Sequence, residues 1–370
     1  MDENGRRMVA VILVAIMAVA VLAVAFTSGL IKFGSTTGSV LDAAGRNVEM
    51  DKPPERIVTC EPSLSEMVAA LGLADKLVAV TEYCDYPDEV RELRDEGKII
   101  IGGFYTPSFE AVIGFRPDLV LVDYGVESHR ELADRLIDAG ITVVQMFPEV
   151  DLESAYKNIE LLGKVTGKSR EAQDLIDSMK DRIEATVKSV ATLEKIEKRN
   201  VMYVSYTDKG FTDVYVTGNG TAVNEIIELA GGKNVFGDFE GWGTPSSELF
   251  VERAEKIDCI IITVMSNEEA ASPKDLNDYF RSDEFWQKSP AVKNNRIFYL
   301  SGQGENIFNR QSVRIPEAIQ LMAQMLYPEE FGWVLNESAP NEIGDDYKKY
   351  LLEQDIGAKT FSIATAIMRV

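Results

Sequence analysis

The sequence predicts an α/β protein of two doubly wound, Rossmann-like lobes joined by a single long backbone helix, behind an N-terminal transmembrane or signal segment. Three observations carry this. Short apolar runs alternate with segments of helical period, the pattern of parallel strands and crossover helices. TPSFE (Thr106–Glu110) opens an apolar-periodic segment that ends in a strand-like run at Leu119–Val122, and about 140 residues later TPSSE (Thr244–Glu248) opens another that ends at Cys259–Val264. Between these copies no Gly or Pro interrupts the chain from Ser169 to Asn200, while Ala172, Ile176, Met179, Ile183, Val187 and Val190 keep helical spacing. A helix of about 25 residues there would span roughly 38 Å, long enough to brace two lobes along their backs.

The division expected is an N-terminal segment 1–33, a linker 34–39, a first lobe 40–150, bracing helices 151–197, a second lobe 198–327 and an acidic tail 328–370. Met8–Phe26 is uninterrupted apolar sequence behind Arg6 and Arg7. Its length matches a bilayer's hydrocarbon thickness, and the flanking arginines hold the N-terminus inside, so the rest is exported. Ala23-Val24-Ala25 resembles a cleavage site, whereas the full spanning length suits a retained anchor; no cysteine follows the run. GSTTGS (Gly34–Ser39) is a flexible tether.

In the first lobe, Asp42–Arg46 reads as a turn between two short strands, and Pro53-Pro54 precedes a strand at Arg56–Cys60. Ser63 and Glu66 have the spacing of a capping box for the helix that runs to Gly72. A strand feeding a loop and then a helix puts that loop at the carboxyl edge of a parallel sheet, where open α/β sheets bind ligands. Strands follow at Leu77–Val80, Ile99–Ile101, Leu119–Asp123 and Ile141–Phe147, with a helix at Ser128–Ala139. Ser108 and Ser246 are placed as N-caps of the two echoed helices, with Glu110 and Glu248 in the first turns. The second lobe offers strands at Val201–Tyr206, Cys259–Val264 and Arg296–Leu300, a turn at Tyr215–Gly220, and helices at Ala222–Ala230, around Leu276–Trp286 and at Ser312–Leu326. The tail holds eight acids against two lysines through Asp355 and carries no recognisable motif. Sequons at Asn219 and Asn336 suit an external location.

With 60 acidic against 38 basic residues the net charge is −22, which argues against nucleic acid and anionic membrane surfaces as partners. His129 is the single histidine, too little for a zinc or manganese carrier's site, and it stands at a helix start with no nucleophile elbow nearby. No catalytic residue, metal site or cofactor is therefore expected. Cys60, Cys84 and Cys259 are too few for a cluster; a Cys60–Cys84 bridge stays open in an oxidising compartment, and Cys259 belongs to an apolar run.

VLDAAGR (Val40–Arg46), PPERIVTCEPSLSEMVAALG, VAVTEYCDYP, TPSFEAVIGFRPDLVLVD and AGGKNVF occur in an order that resembles the solute-binding proteins of ABC importers for iron–siderophore complexes, haem and vitamin B12. The resemblance covers roughly Val40–Tyr327. It implies a ligand held between two lobes, a metal chelate or a corrinoid, and delivery to a permease dimer served by a cytoplasmic ATPase. By position it implies that Glu110 and Glu248 are the glutamates, one per lobe, that dock on the permease. Loops at the strand ends offer Tyr83, Tyr105 and Tyr124 from the first lobe and Tyr215, Trp242, Phe308 and Arg310 from the second as ligand contacts. Aromatic walls suit a flat chelate, and Arg310 suits an anionic one. The chain departs from the vitamin B12-binding members where Cys60-Glu61-Pro62 occupies the first-lobe ligand loop, and in its acidic tail.

Overall fold

Strand pairing, helix caps and packing were read from a computed structural model that describes residues 39–97, 102–193, 197–264, 271–335 and 339–352. The apolar segment Met8–Phe26, most of the tether, the strand expected at Ile99–Ile101, the Asn336 sequon and the end of the tail lie outside them. Among the described residues no helix is long and apolar enough to cross a membrane.

The first lobe opens with a two-stranded antiparallel ribbon, β1 (Val40–Leu41) and β2 (Asn47–Val48), turned at Gly45, whose φ of +74° suits glycine. Its sheet is all parallel: β3 (Ile57–Thr59), β4 (Leu77–Ala79), β5 (Leu119–Asp123) and β6 (Val143–Met146) lie in the order β4-β3-β5-β6. β3, β5 and β6 are buried along their whole lengths, as expected for strands covered by helices on both faces.

The second lobe holds a seven-stranded mixed sheet. β7 (Asn200–Thr207), β11 (Cys259–Thr263) and β12 (Ile297–Leu300) form its parallel centre, with β9 (Lys233–Asn234) parallel beside β7. β8 (Val214–Thr217) and β10 (Trp242–Gly243) add an antiparallel edge. The segment expected as a turn at Tyr215–Gly220 thus begins as a strand, because Val214 and Val216 alternate inward against Phe236 and Phe250 while Tyr215 faces out. At the far edge β13 (Asn341–Ile343) pairs in parallel with β12, so part of the expected tail completes this sheet.

A 15-residue helix, Leu152–Thr166, begins with a full capping box at Asp151 and Ser154 and stops at Gly167 in a left-handed turn. The bracing helix follows as Ser169–Ala191, 23 residues, burying Ala172, Ile176, Met179 and Ile183. It packs on Leu152–Thr166 on one side and on the closing helix Ile315–Leu326 on the other. One apolar core runs without a break from Leu64 and Leu121 of the first lobe through Ile176 and Met179 to Tyr203 and Leu326 of the second. The lobes are therefore two sheets on a shared core rather than beads on a string.

Candidate functional site

The loops after the four first-lobe strands all leave the same edge of a parallel sheet, and each delivers a polar or aromatic group there. Cys60-Glu61 follows β3, Tyr83-Cys84-Asp85 follows β4, Asp123 ends β5 ahead of Tyr124, and Glu149 follows β6. Opposite them, the second lobe presents the helix Gly302–Asn309 and the segment Arg310–Arg314.

The two lobes meet through an ion network. Glu66, its side chain fully buried, accepts from Arg314 twice (2.8 Å from Nε, 2.5 Å from Nη2), from the Ser312 hydroxyl at 2.5 Å and from Arg310 at 3.1 Å. Arg310 also donates to Asp85 at 2.6 Å and to the Tyr83 carbonyl at 3.0 Å, and Asn306 donates to Asp85 at 3.0 Å. Burial opposes ionisation of Asp85, but the Arg310 guanidinium prevails and holds it below its ordinary range. The Arg314 guanidinium lies 4.2 Å from the centre of the Tyr86 ring.

This geometry corrects three sequence expectations. Glu66 closes no capping box: Pro62 stands at the first helical position, Glu61 becomes the N-cap without a side-chain bond, and the two arginines draw Glu66 across to the other lobe. Arg310 is not a free cation awaiting an anionic ligand, because Glu66 and Asp85 already neutralise it. Phe308, expected as a ligand contact, is instead fully buried against Tyr203, on the inward side of the helix Gly302–Asn309. The other five aromatic candidates stand open to solvent: Tyr83, Tyr105, Tyr124, Tyr215 and Trp242 are 37–72% exposed.

Beside the network sits a set of acids that the sequence did not disclose, Glu61 and Asp123 buried, Glu149 and Glu305 half-buried. Burial, then the neighbouring Glu149, Asp123 and Cys84, raises the Glu61 carboxyl well above its ordinary range, with Arg310 pulling the other way. Burial pushes Glu149 up to about 8 and Glu305 up to about 7, and raises Asp123. The available signal was Glu61 itself, an acid wedged between Cys60 and Pro62 at a strand end.

Cys60 and Cys84 are free thiols, both buried; Cys84 lies 3.2 Å from the hydroxyls of Ser65 and Thr81. His129 works as a staple: its Nδ1 accepts from the Asp123 amide at 3.1 Å and its Nε2 pairs with the Phe104 carbonyl at 2.7 Å. Burial lowers its pKa. No group of three or more His, Cys, Asp or Glu side chains is arranged to hold a metal among the described residues.

The echoed helices fold alike. In Phe109–Gly114, Ser108 caps the Ala111 amide at 3.3 Å; in Ser247–Arg253, Ser246 caps that of Leu249 at 3.4 Å. Both first-turn glutamates are exposed. Glu110 touches Arg135 at 3.3 Å, whereas the Glu248 carboxyl is held below its ordinary range by its own backbone amide and the Ser246 hydroxyl.

Two α/β lobes on one brace, meeting at the carboxyl edge of a parallel sheet, define a two-lobed binding protein. The chain belongs to the periplasmic binding protein family, which it matches over residues 57–303. It is a solute-binding protein of the ABC-transporter class, as its motifs implied. It is 30% identical to the uncharacterized ABC transporter substrate-binding lipoprotein YvrC of Bacillus subtilis over 291 residues, 78% of this chain and 85% of that one. It is 29% identical to a cobalamin-binding protein of Halobacterium salinarum over 198 residues, 53% of this chain and 50% of that one. Among solved structures, a possible iron-binding (periplasmic solute-binding) protein from Staphylococcus epidermidis superposes with a TM-score of 0.63 at 25% identity, covering 75% of this chain and 100% of that one.

Proposed function

We propose that this protein captures a metal chelate or corrinoid between its lobes outside the cytoplasm and hands it to an ABC permease through Glu110 and Glu248. The observation that carries the reading is the pair of glutamates, each exposed in the first turn of a serine-capped helix that leads into a central strand of its own lobe. Exposed carboxylates contribute little affinity one at a time, but they orient encounter with a basic partner and speed it. Tyr83, Tyr105 and Tyr124 from one lobe and Tyr215 and Trp242 from the other are the proposed ligand walls, their exposed rings suited to a flat or bulky ligand. Met8–Phe26 would keep the carrier at the membrane.

A specific observation favours the corrinoid over an iron(III) chelate of siderophore or haem type. Those iron chelates are commonly anionic, and the cation at the lobe junction, Arg310, is bound to two carboxylates beside further buried acids. The test of the carrier reading is transport. Glu110→Arg with Glu248→Arg should leave ligand binding intact and abolish uptake in cells that depend on this carrier; normal uptake by the double variant would remove the docking assignment.

A further inference from the structure

Glu61 is 7% exposed, and its Oε2 has no hydrogen-bond partner. A buried carboxylate oxygen left without a donor is costly, so folded chains seldom keep one unless a proton or a bound molecule completes it. Glu149 faces the same place from the end of β6: its Oε2 accepts from the Gln311 amide at 3.2 Å, while its buried Oε1 lacks a well-formed bond, though the Ser63 hydroxyl lies beside the carboxylate. The charged and titratable groups facing Glu61 are its neighbour Cys60, then Glu149, Asp123 and Cys84 from the other strand ends, and Arg310 from the second lobe. Arg310 is held by Glu66 and Asp85, so it leaves these acids largely uncompensated. The neighbouring loops, after β4 and β5, carry Tyr83 and Tyr124, both exposed, so the orphaned oxygens and these rings share one edge of the sheet.

We infer that Glu61, seconded by Glu149, is a specificity-determining hydrogen-bond donor for the ligand, presenting a protonated carboxyl to a neutral acceptor such as a peripheral amide carbonyl and turning away ligands that bring carboxylates. The inference rests on the carrier reading and deepens it. A carboxyl in its acid form donates one hydrogen bond, and a site built around such a donor discriminates by what the ligand offers in return. As pH rises and these acids ionise, a ligand carboxylate would meet Glu61, Glu149 and Asp123 as like charges, whereas an amide meets a donor for as long as the proton stays. Loss of the proton turns the donor into an acceptor, so binding weakens as pH rises.

The test is titration of the full chain, purified in detergent, with cyanocobalamin, which is neutral overall and edged with amides, and with haemin, which carries two propionates. Cyanocobalamin should bind at least tenfold tighter at pH 6 than at pH 9, the range over which Glu149 loses its proton, and at pH 9 tighter than haemin. Glu61→Gln combined with Glu149→Gln should bind it at pH 9 as tightly as the unaltered chain does at pH 6, because an amide N–H donates without titrating. Glu61→Leu should lose at least tenfold at pH 6; if that variant does not fold, as judged by its thermal transition, the pH profile of the double amide variant decides alone. Affinity independent of pH, a preference for haemin at pH 9, or a double amide variant as weak as Glu61→Leu would overturn the inference while leaving the carrier reading in place. Absence of saturable binding of cyanocobalamin, haemin and ferric siderophores at either pH would remove the carrier reading and this inference with it.

Discussion

Glu66 shows how one side chain can serve two lobes. It leaves a first-lobe helix and ends in four hydrogen bonds from Arg310, Ser312 and Arg314 of the second. Because all of its charge is met, its burial is tolerable; taking it away leaves the buried Arg314 guanidinium without a carboxylate and Arg310 with Asp85 alone. Glu66→Ala should therefore cost about 3–5 kcal/mol in unfolding free energy, the range for breaking a buried ion pair from one side, measurable by denaturant titration. Replacing Glu66 and Arg314 together by apolar residues should cost much less, since no unpaired charge remains; a double variant as damaged as the single would refute the pairing. Sequence could not have assigned Glu66 this role. Its spacing from Ser63 satisfies a local rule, and only the second lobe, about 245 residues further on, supplies the arginines that override it.

Among the elements, the closing strand β13 was the least legible, because three residues of mixed character in an acidic stretch carry no strand signal. Its place is set by tertiary bonds. Asn341 donates to the carbonyls of Asn295 and Ile297 at 2.8 and 3.1 Å, and Asp345 accepts from the Gln303 amide at 3.0 Å, at the start of the helix that leads to Arg310. Lys348 reaches the first lobe, bonding the Tyr86 hydroxyl at 3.1 Å. Ending the chain at Pro340 should lower the melting temperature by several degrees, roughly the effect of losing about 2 kcal/mol from a chain of this size, and should increase association through the exposed edge of β12. An unchanged melting temperature and a monomeric truncated chain would show that the strand is dispensable. The central strands and the brace, by contrast, were plain in the sequence: the run from Ala172 to Val190 could satisfy its apolar spacing only as a helix, and it folds as Ser169–Ala191. The Ser108 and Ser246 caps were legible for the same reason, since each depends on neighbours within one turn.

At the scale of the whole molecule, the buried acids give stability an unusual dependence on pH. Glu149 holds its proton up to about 8 in the folded chain, against 4.5 for the ordinary side chain, and Glu61, Asp123 and Glu305 are raised as well. Between those limits the folded state binds more protons than the unfolded one, so stability falls as pH rises. Unfolding free energy should drop by about 2–4 kcal/mol from pH 5 to pH 9, and Glu149→Gln should flatten the slope. A chain that grows more stable over that interval would contradict the burial of these groups. The lobes and their exposed first-turn glutamates could be read from repetition within the sequence, whereas the acids could not, because what raises them is the meeting of loops from four strands with a second lobe.

The core that runs through the brace into both sheets has a mechanical corollary. A carrier welded along its spine has no wide-open form to swing from, so its empty and loaded outlines should be nearly superimposable in solution scattering, with radii of gyration agreeing within about 1 Å. On the proposed reading, release of cargo then becomes the task of the permease that receives it: two grips, one on each half, and leverage borrowed from ATP on the far side of the membrane.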